Sequence, residues 1–219
     1  MGGPVKIEEL VARLDGALAR LAGSQEELRE LDAALGDGDL GITVSRGAEA
    51  VRTKLAALDN ATFPGLLRAA GTAFASANPS TFAALVGGAL LAAAKAVGTD
   101  EPTAGDAVAT GRAAADSIQR RGKSQQGDKT VLDALIPSVD ILESMALRSE
   151  SGTRALEAMV SRARDAIAAT TPLQSRRGRA SWVGERGTGH PDPGATAYLR
   201  FLEALHAEWA SREPEHDRG

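Results

Sequence analysis

Apolar residues recur every three or four positions along most of this chain, and nowhere do they alternate with polar residues over the length of a strand. Alanine, the strongest helix former, makes up about one residue in five. Valine, isoleucine, threonine and the aromatic residues, which favour strands, form no alternating runs. The pattern therefore predicts an all-α protein.

The periodicity predicts eight or nine helices of ordinary length, and the predicted segments are Val5–Leu21, Gln25–Leu35, Ile42–Leu58, Phe63–Ala77, Thr81–Val97, Ala104–Arg121, Lys129–Leu147, Gly152–Ala169 and Ala195–Ala210. Ser24 with Glu27 three residues later predicts a capping box, and Asn78–Ser80 predicts a break between helices. Short connections favour antiparallel neighbours. We therefore expect one up-and-down helical domain over residues 1–219, with its core at about 5–211 and a frayed tail at 212–219.

Composition excludes several classes of protein. The chain has no cysteine, which excludes disulfides, zinc–thiolate sites and cysteine nucleophiles. Its 25 basic and 29 acidic residues give a net charge of −4, which argues against a general nucleic-acid binder. The longest apolar run, residues 82–94, is too short to cross a bilayer, and no secretory signal is visible at the start. We expect a cytoplasmic protein that binds neither nucleic acid nor a membrane.

The first segment that departs from helical periodicity is acidic. Asp32 ends a predicted helix, and Asp37 and Asp39 follow in a loop with three glycines that can fold back towards it. Carboxylates about 5 Å apart repel by roughly 3 kcal/mol at an effective dielectric of 20, so their convergence requires a cation. Oxygen ligands suit Mg²⁺ or Ca²⁺. The alternative interpretation is a glycine C-cap followed by an aspartate N-cap.

Two familiar motifs fail in this loop. An EF-hand would need a glutamate at the twelfth loop position, which is absent. The letters G-x-G-x-x-G also occur here, but the motif follows a helix instead of a strand and would place two carboxylates against a pyrophosphate. The sequence therefore predicts neither an EF-hand nor a dinucleotide-binding motif in this loop.

Two further segments are candidates for chemistry. In residues 120–130, Gly122-Lys123-Ser124 matches the end of a Walker A motif, but the first glycine of that motif and the strand before it are absent. We therefore interpret this segment as the basic end of one helix, a turn and the start of a new helix. Residues 175–195 form a long loop with four arginines. Asp192 and Pro193 there are typical of the N-cap and first position of a helix, whose free N–H groups bind anions. The alternative is a solvated basic loop with an ordinary cap.

Together the three segments resemble a known family. LDAALGDGDLG, RGKSQQGDKTVLDAL and RRGRASWVGERGTGHPDPGATA closely resemble the nucleotide-binding L subunit of dihydroxyacetone kinases, in the family's order and spacing and over about residues 10–205. The resemblance implies an eight-helix antiparallel α-barrel. It also implies that loops at one end of the barrel bind ADP or ATP through two Mg²⁺ ions.

The resemblance assigns roles to individual residues. It implies that Asp32, Asp37 and Asp39 hold the metal ions and take part in catalysis, together with Arg179. The implied nucleotide contacts are Gly41, Thr43, Gly122, Val131, Arg179, Asp192, Pro193 and Gly194. Phosphoryl transfer needs positioning and charge neutralisation, which magnesium, arginine and helix N-termini supply without a protein nucleophile.

The sequence departs from the family pattern at two places. Leu40 stands where the family usually has histidine. A Gly-Gly-x-Ser-Gly phosphate loop is replaced by a segment that begins Asn78-Pro79-Ser80-Thr81. We expect Ser80 and Thr81, at a helix N-terminus, to bind phosphate through hydroxyl and backbone N–H groups, with Asn78 as an extra donor.

The resemblance also implies partners. We expect a separate K-type subunit to hold a small ketose such as dihydroxyacetone or a tetrulose, with free ATP or a phosphocarrier M subunit as the phosphoryl source. We expect the chain to be the nucleotide-binding subunit of a kinase in glycerol metabolism, and to be incomplete without that partner. Two alternatives stay open, a catalytically silent regulatory module and a lipid-binding helical barrel. The oligomeric state is also open, with a homodimer as one alternative.

Overall fold

A computed structural model describes residues 4–59, 61–177 and 184–211. Within these ranges the chain forms nine α-helices and no strand, so the all-α prediction is confirmed. The helices are α1 (Ile7–Ala22), α2 (Gln25–Leu35), α3 (Leu40–Ala56), α4 (Phe63–Ala77), α5 (Thr81–Ala96), α6 (Ala104–Gly122), α7 (Val131–Leu147), α8 (Gly152–Thr170) and α9 (Pro193–Ala210). A short 3₁₀ helix, Gly184–Gly187, precedes α9.

Eight of the nine helices pack in cyclic order. From α3 to α9 each helix contacts the next one along the chain, and α1 contacts both α3 and α9. The extra helix, α2, packs against α3 and α9 outside this cycle, which explains why nine helices occur where the resemblance implied eight. Because the short connections from α3 to α8 make neighbouring helices antiparallel, α3, α5 and α7 begin at the same end. Helix α9 begins there too, since a Cβ atom at Gly194 would lie within 4 Å of Phe82 and Val131. That end carries the beginnings of α3, α5, α7 and α9.

Side chains and proline mark most of the helix starts. Thr62, Ser80, Thr103, Thr130, Ser151 and Asp192 each accept a hydrogen bond from an N–H in the first turn. The predicted capping box at Ser24 is wrong, because Ser24 forms no side-chain cap. Glu27 instead pairs with Arg200 of α9, at 2.6 Å, and ties α2 to the ring. The helix predicted over Lys129–Leu147 begins two residues later, at Val131.

The ring is closed where α1 meets α9. Arg13 is buried, donates to the backbone carbonyl oxygens of Glu208 and Trp209, and stacks 4.7 Å from the Trp209 ring centre. Arg20 pairs with Glu208 at 2.8 Å. A buried arginine with both hydrogen bonds and a cation–π contact fixes the register of the two helices.

Glycine and alanine let α4 and α5 approach closely. A Cβ atom added at Gly87 would lie 2.6 Å from both the Ala75 Cβ and the Gly71 carbonyl oxygen. Helices that approach this closely are held in one register, because the atoms in contact are backbone or Cβ atoms and cannot rotate away. No helix in the described residues is long and apolar enough to span a membrane.

We expect Gly87→Ala to destabilise the protein by about 2 kcal/mol, since the added methyl group meets backbone atoms of α4 that cannot move aside. Urea unfolding followed by circular dichroism measures the effect. Gly98→Ala is the matched control, because no atom lies within 4 Å of its Cβ position, and it should be neutral or slightly stabilising. Equal stability of the two variants would contradict the close packing of α4 on α5.

Candidate functional site

The connection between α2 and α3 brings the three acidic residues together. Asp32 lies in the last turn of α2, Asp37 in the connection and Asp39 directly before α3. One carboxylate oxygen from each lies within 4.8 Å of the other two. Gly38 makes the turn possible, because its φ of +74° is a conformation that other residues adopt only with strain. The acidic loop therefore concentrates three oxygen ligands at one point.

Burial and mutual repulsion act on the first of these carboxylates. Asp32 is half-buried, and desolvation is the main cause that raises its pKa above the usual range, with the charges of Asp37 and Asp39 adding to the increase. The Leu40 N–H donates to the Asp32 carboxylate at 3.2 Å and opposes part of that shift. A cation bound at this point would therefore stabilise the ionised form of Asp32.

The first turn of α3 is packed tightly under α2. A Cβ atom at Gly41 would lie 2.0 Å from the Gln25 carbonyl oxygen, so the helix crossing itself requires glycine here. Thr43 is buried, and its hydroxyl accepts a hydrogen bond from the Asn78 amide at 2.8 Å. Gly41 and Thr43 therefore have structural contacts in this structure, and their predicted nucleotide contacts stay predictions.

The replaced phosphate loop joins the same region. Ser80 is the N-cap of α5, and its hydroxyl accepts from the Ala83 N–H at 3.0 Å. Thr81 is the first helical residue and is exposed. Asn78, which we expected as an extra phosphate donor, uses its amide group on Thr43. The link from Asn78 to Thr43 places the α5 start beside the first turn of α3.

The beginnings of α5, α7 and α9 also meet. A Cβ atom at Gly194 would lie 3.4 Å from the Phe82 ring and 3.8 Å from the Val131 Cβ atom. Asp192 is the N-cap of α9, as predicted, and accepts from the Ala195 N–H at 2.7 Å, with Pro193 as the first helical residue. Four helix N-termini and the acidic loop thus share one end of the ring. Their N–H groups attract anions there, while the acidic loop attracts cations.

Asp192 has a strongly shifted pKa. Burial raises the pKa of its carboxyl group to about 7, and the nearby charge of Asp133 adds to that effect. The backbone N–H of Ala195 and the ammonium group of Lys129 act in the opposite direction. A shifted carboxyl at a helix start is typical of a functional site, although structural networks cause such shifts too.

Lys129 is the residue that the sequence reasoning missed. Its side chain has no exposed surface, and its ammonium group donates to the carbonyl oxygens of Thr171, Leu173 and Gly187, at 3.0, 2.8 and 2.9 Å. Thr171 and Leu173 belong to the first described part of the α8–α9 connection, residues 171–177, and Gly187 belongs to the second, residues 184–192. Burial lowers the pKa of Lys129. Lys129 therefore fastens the connection that leads to Asp192.

The neighbouring residue makes a second attachment. The buried Asp128 carboxylate accepts from the Arg177 guanidinium at 3.4 Å, and its backbone carbonyl accepts from the Arg176 N–H at 3.0 Å. Asp133, also buried, accepts from the N–H groups of Gly127 and Thr130 and so holds the turn that presents both residues. The signal available in the sequence was only the polar run before α7.

Two further residues with predicted nucleotide contacts, Gly122 and Val131, lie at helix ends. Gly122 is the last residue of α6, where its Cβ position lies 3.1 Å from the Ser124 hydroxyl oxygen, and Val131 is the first residue of α7. Arg179 lies outside the described residues, so its predicted role stays a prediction.

Comparison with known proteins gives a consistent family. Residues 34–207 match the family described as the DAK2 domain. The chain is 35% identical over 181 residues to the PEP-dependent dihydroxyacetone kinase, ADP-binding subunit DhaL, of Escherichia coli, with 82% of this chain and 86% of that protein covered. It is 39% identical over 192 residues to the D-erythrulose kinase of Mycolicibacterium smegmatis, with 86% of this chain but 33% of that protein covered.

A solved structure has the same fold. The crystal structure of the dihydroxyacetone kinase from C. freundii in complex with AMP-PNP and Mg²⁺ superposes with a TM-score of 0.72 over 94% of this chain, at 20% identity. The chain spans 35% of that protein and about a third of the erythrulose kinase, whereas it spans most of the Escherichia coli subunit.

We expect Lys129→Met to lower the free energy of unfolding by about 2 kcal/mol, because three carbonyl oxygens lose a charged donor. Release of the connection should also increase the rate of trypsin cleavage after Arg176 and Arg177 about fivefold or more. Lys54→Met, which changes an exposed lysine on α3, is the control for the loss of one cationic side chain. An unchanged cleavage rate in Lys129→Met would contradict the tether.

Asp192→Asn should flatten the pH dependence of stability. A carboxyl whose pKa is raised on folding retains its proton while the unfolded chain ionises, so the wild-type protein loses stability as the pH rises from about 4 to about 7. Asparagine keeps the cap without the charge. Thermal unfolding at pH 5 and pH 8 measures the difference, and equal pH dependence in both proteins would show that Asp192 is ionised throughout.

Proposed function

This chain belongs to the DAK2 domain family, with dihydroxyacetone kinase L subunits among its relatives, and on this premise we propose that it is the nucleotide-binding subunit of a kinase that phosphorylates a short ketose. We assign residues 1–219 to one nucleotide-binding unit, with the acidic loop and the four neighbouring helix N-termini as its active end. The ketose is bound by a separate K-type subunit.

One observation carries this proposal, the convergence of three carboxylates beside four helix N-termini. Oxygen ligands of Asp32, Asp37 and Asp39 lie within 4.8 Å of one another. A Mg²⁺ ion binds oxygen at about 2.1 Å, so ligands on one ion lie up to about 4.2 Å apart. The separation of the three oxygens is therefore close to what one ion requires. The donor set fits magnesium, and we propose that Asp32, Asp37 and Asp39 would hold two such ions.

The metal, when bound, neutralises phosphate charge and aligns the transferred group. The residues of this chain bind and orient the phosphates. The beginnings of α5, α7 and α9 present backbone N–H groups near Thr81, Val131 and Gly194, where the nucleotide phosphates would lie. Ser80 and Thr81 add hydroxyl groups. Donors fixed in this way need no rearrangement as charge develops in the transition state.

The loop that follows α8 completes the proposed site. Lys129 and Asp128 hold its described part, which leads to the Asp192 cap of α9. We assign Asp192, Pro193 and Gly194 to the nucleotide, and Arg179 to the phosphates, as the resemblance implies. Leu40 contributes its backbone N–H to Asp32, which supports the metal site without the histidine usual in the family.

The names of the relatives support a choice of acceptor. One relative is named an ADP-binding subunit of a PEP-dependent dihydroxyacetone kinase and another a D-erythrulose kinase. These names support a ketose of three or four carbons as the acceptor. Either free ATP or an ADP recharged by a phosphocarrier M subunit supplies the phosphoryl group. ATP consumption with a purified K-type subunit distinguishes the two.

We expect Asp37→Asn to weaken Mg²⁺-dependent ADP binding about a hundredfold, because it removes one ligand of the acidic trio. Calorimetric titration with ADP, with and without Mg²⁺, measures the change. Thermal stability should stay the same or rise slightly, since the substitution relieves like-charge repulsion.

Asp100→Asn is the matched control, because it removes an exposed carboxylate between α5 and α6. It should bind ADP as the wild-type protein does. Undiminished Mg²⁺-dependent binding by Asp37→Asn, or equal binding with and without Mg²⁺ in the wild type, would refute the metal site.

A further inference from the structure

Helix α5 is apolar on all sides between its first residue and Lys95. Residues 82–94 consist only of apolar residues and glycine, although a helix with one face in water normally carries polar residues there. Its flanks pack against α4 and α6. Nevertheless Leu91 and Ala92 are partly exposed, and Ala84 is exposed. An apolar outer surface without a covering element is typical of an interaction site.

The surroundings of this face are basic. Residues 60–99 contain no aspartate or glutamate, in a chain that has 29 acidic residues. Arg68, Lys95, Arg120 and Arg121 line a groove along α5, and Asp116 is the acidic residue that lines it. Within the described residues none of these four cations forms an ion pair, whereas acidic partners are found for Arg13, Arg20, Arg29, Arg52, Arg112, Arg154, Arg164 and Arg200.

The groove has a cation pair at each end. The Arg121 guanidinium lies against Gly88, 2.6 Å from the position of a Cβ atom there, next to Arg120. Lys95 is seven residues further along α5, about 10 Å at 1.5 Å per residue. Arg68 lies at this second end, because antiparallel α4 places Gly71 against Gly87 and Leu91. Leu91, Ala92 and Ala113 form an apolar floor between the ends, in a groove of about 740 Å³.

This arrangement selects the kind of occupant. A single phosphate group is too small to reach both cation pairs across about 10 Å. An α-helix reaches both cation pairs with two acidic residues seven positions apart, because residues at that spacing lie on one face of the helix. The apolar residues between them on that face cover Leu91 and Ala92. We propose that the α5 groove, defined by Arg68, Leu91, Ala92, Lys95, Ala113 and Arg121, docks an acidic amphipathic helix of a partner protein.

The proposal goes beyond nucleotide binding, since the groove lies on the side of the ring and the acidic loop at its end. The test uses the full chain and a helical peptide of about 18 residues with two glutamates seven positions apart on a leucine and alanine face. The control peptide carries glutamine at both positions. Fluorescence anisotropy should give a submillimolar Kd for the glutamate peptide and at least tenfold weaker binding of the control peptide.

Three variants locate the binding site. Arg68→Gln combined with Lys95→Gln should weaken binding of the glutamate peptide about tenfold or more, because one end of the groove loses its charge. Arg148→Gln combined with Arg162→Gln, at exposed arginines just after α7 and on α8, changes the net charge equally and should have little effect. Ala92→Phe should also weaken binding by filling the floor.

Mg²⁺-dependent ADP binding should be unchanged in all three variants, which checks that they fold and separates this proposal from the nucleotide site. The proposal is overturned if the wild-type chain does not bind the glutamate peptide below about 1 mM. It is also overturned if the glutamine peptide binds equally well, if the two double variants lose affinity equally, or if inorganic phosphate at low millimolar concentration displaces the peptide.

Discussion

The direction of alternate helices in the ring determines where chemistry can occur. Because each helix runs opposite to its neighbours, α3, α5, α7 and α9 all begin at one end. Every helix start leaves backbone N–H groups without helical partners, so positive potential accumulates there. The acidic loop adds negative charge at the same end, directly before α3. The result is a place that attracts cations and anions side by side, as a magnesium nucleotide requires.

Sequence reasoning found those parts of the site that are local in the chain. Asp32, Asp37 and Asp39 lie within eight residues, and the glycines between them already indicated a loop that folds back. The cap formed by Asp192 and the helix that follows Pro193 are likewise encoded by adjacent residues. The all-α fold was predictable for the same reason, since periodicity is a local property.

Contacts between distant residues were not predictable in this way. Lys129 meets carbonyl groups 42 to 58 residues away, and no spacing rule links them. The resemblance implied a nucleotide contact at Gly41, which stays a prediction, whereas no sequence pattern indicated the Gln25 carbonyl oxygen that lies against this glycine in the structure. Ser24 and Glu27 matched a capping pattern, but a charged partner on α9 attracts Glu27 away from the helix start. In each case tertiary structure decided between local alternatives of similar energy.

The two surfaces associated with α5 are best understood as independent. The helix contributes its N-terminus to the end of the ring that carries the acidic loop, and its outer face to the groove. A ligand in the groove changes the distant site only if it favours a different position of α5. Any such shift would have to open or compress the contact of Gly87 with Gly71 and Ala75, where backbone atoms already touch. Helices packed at that distance resist gradual displacement. A partner protein bound in the groove would therefore bring this chain close to other proteins. It would not change the geometry of the acidic loop and the helix N-termini.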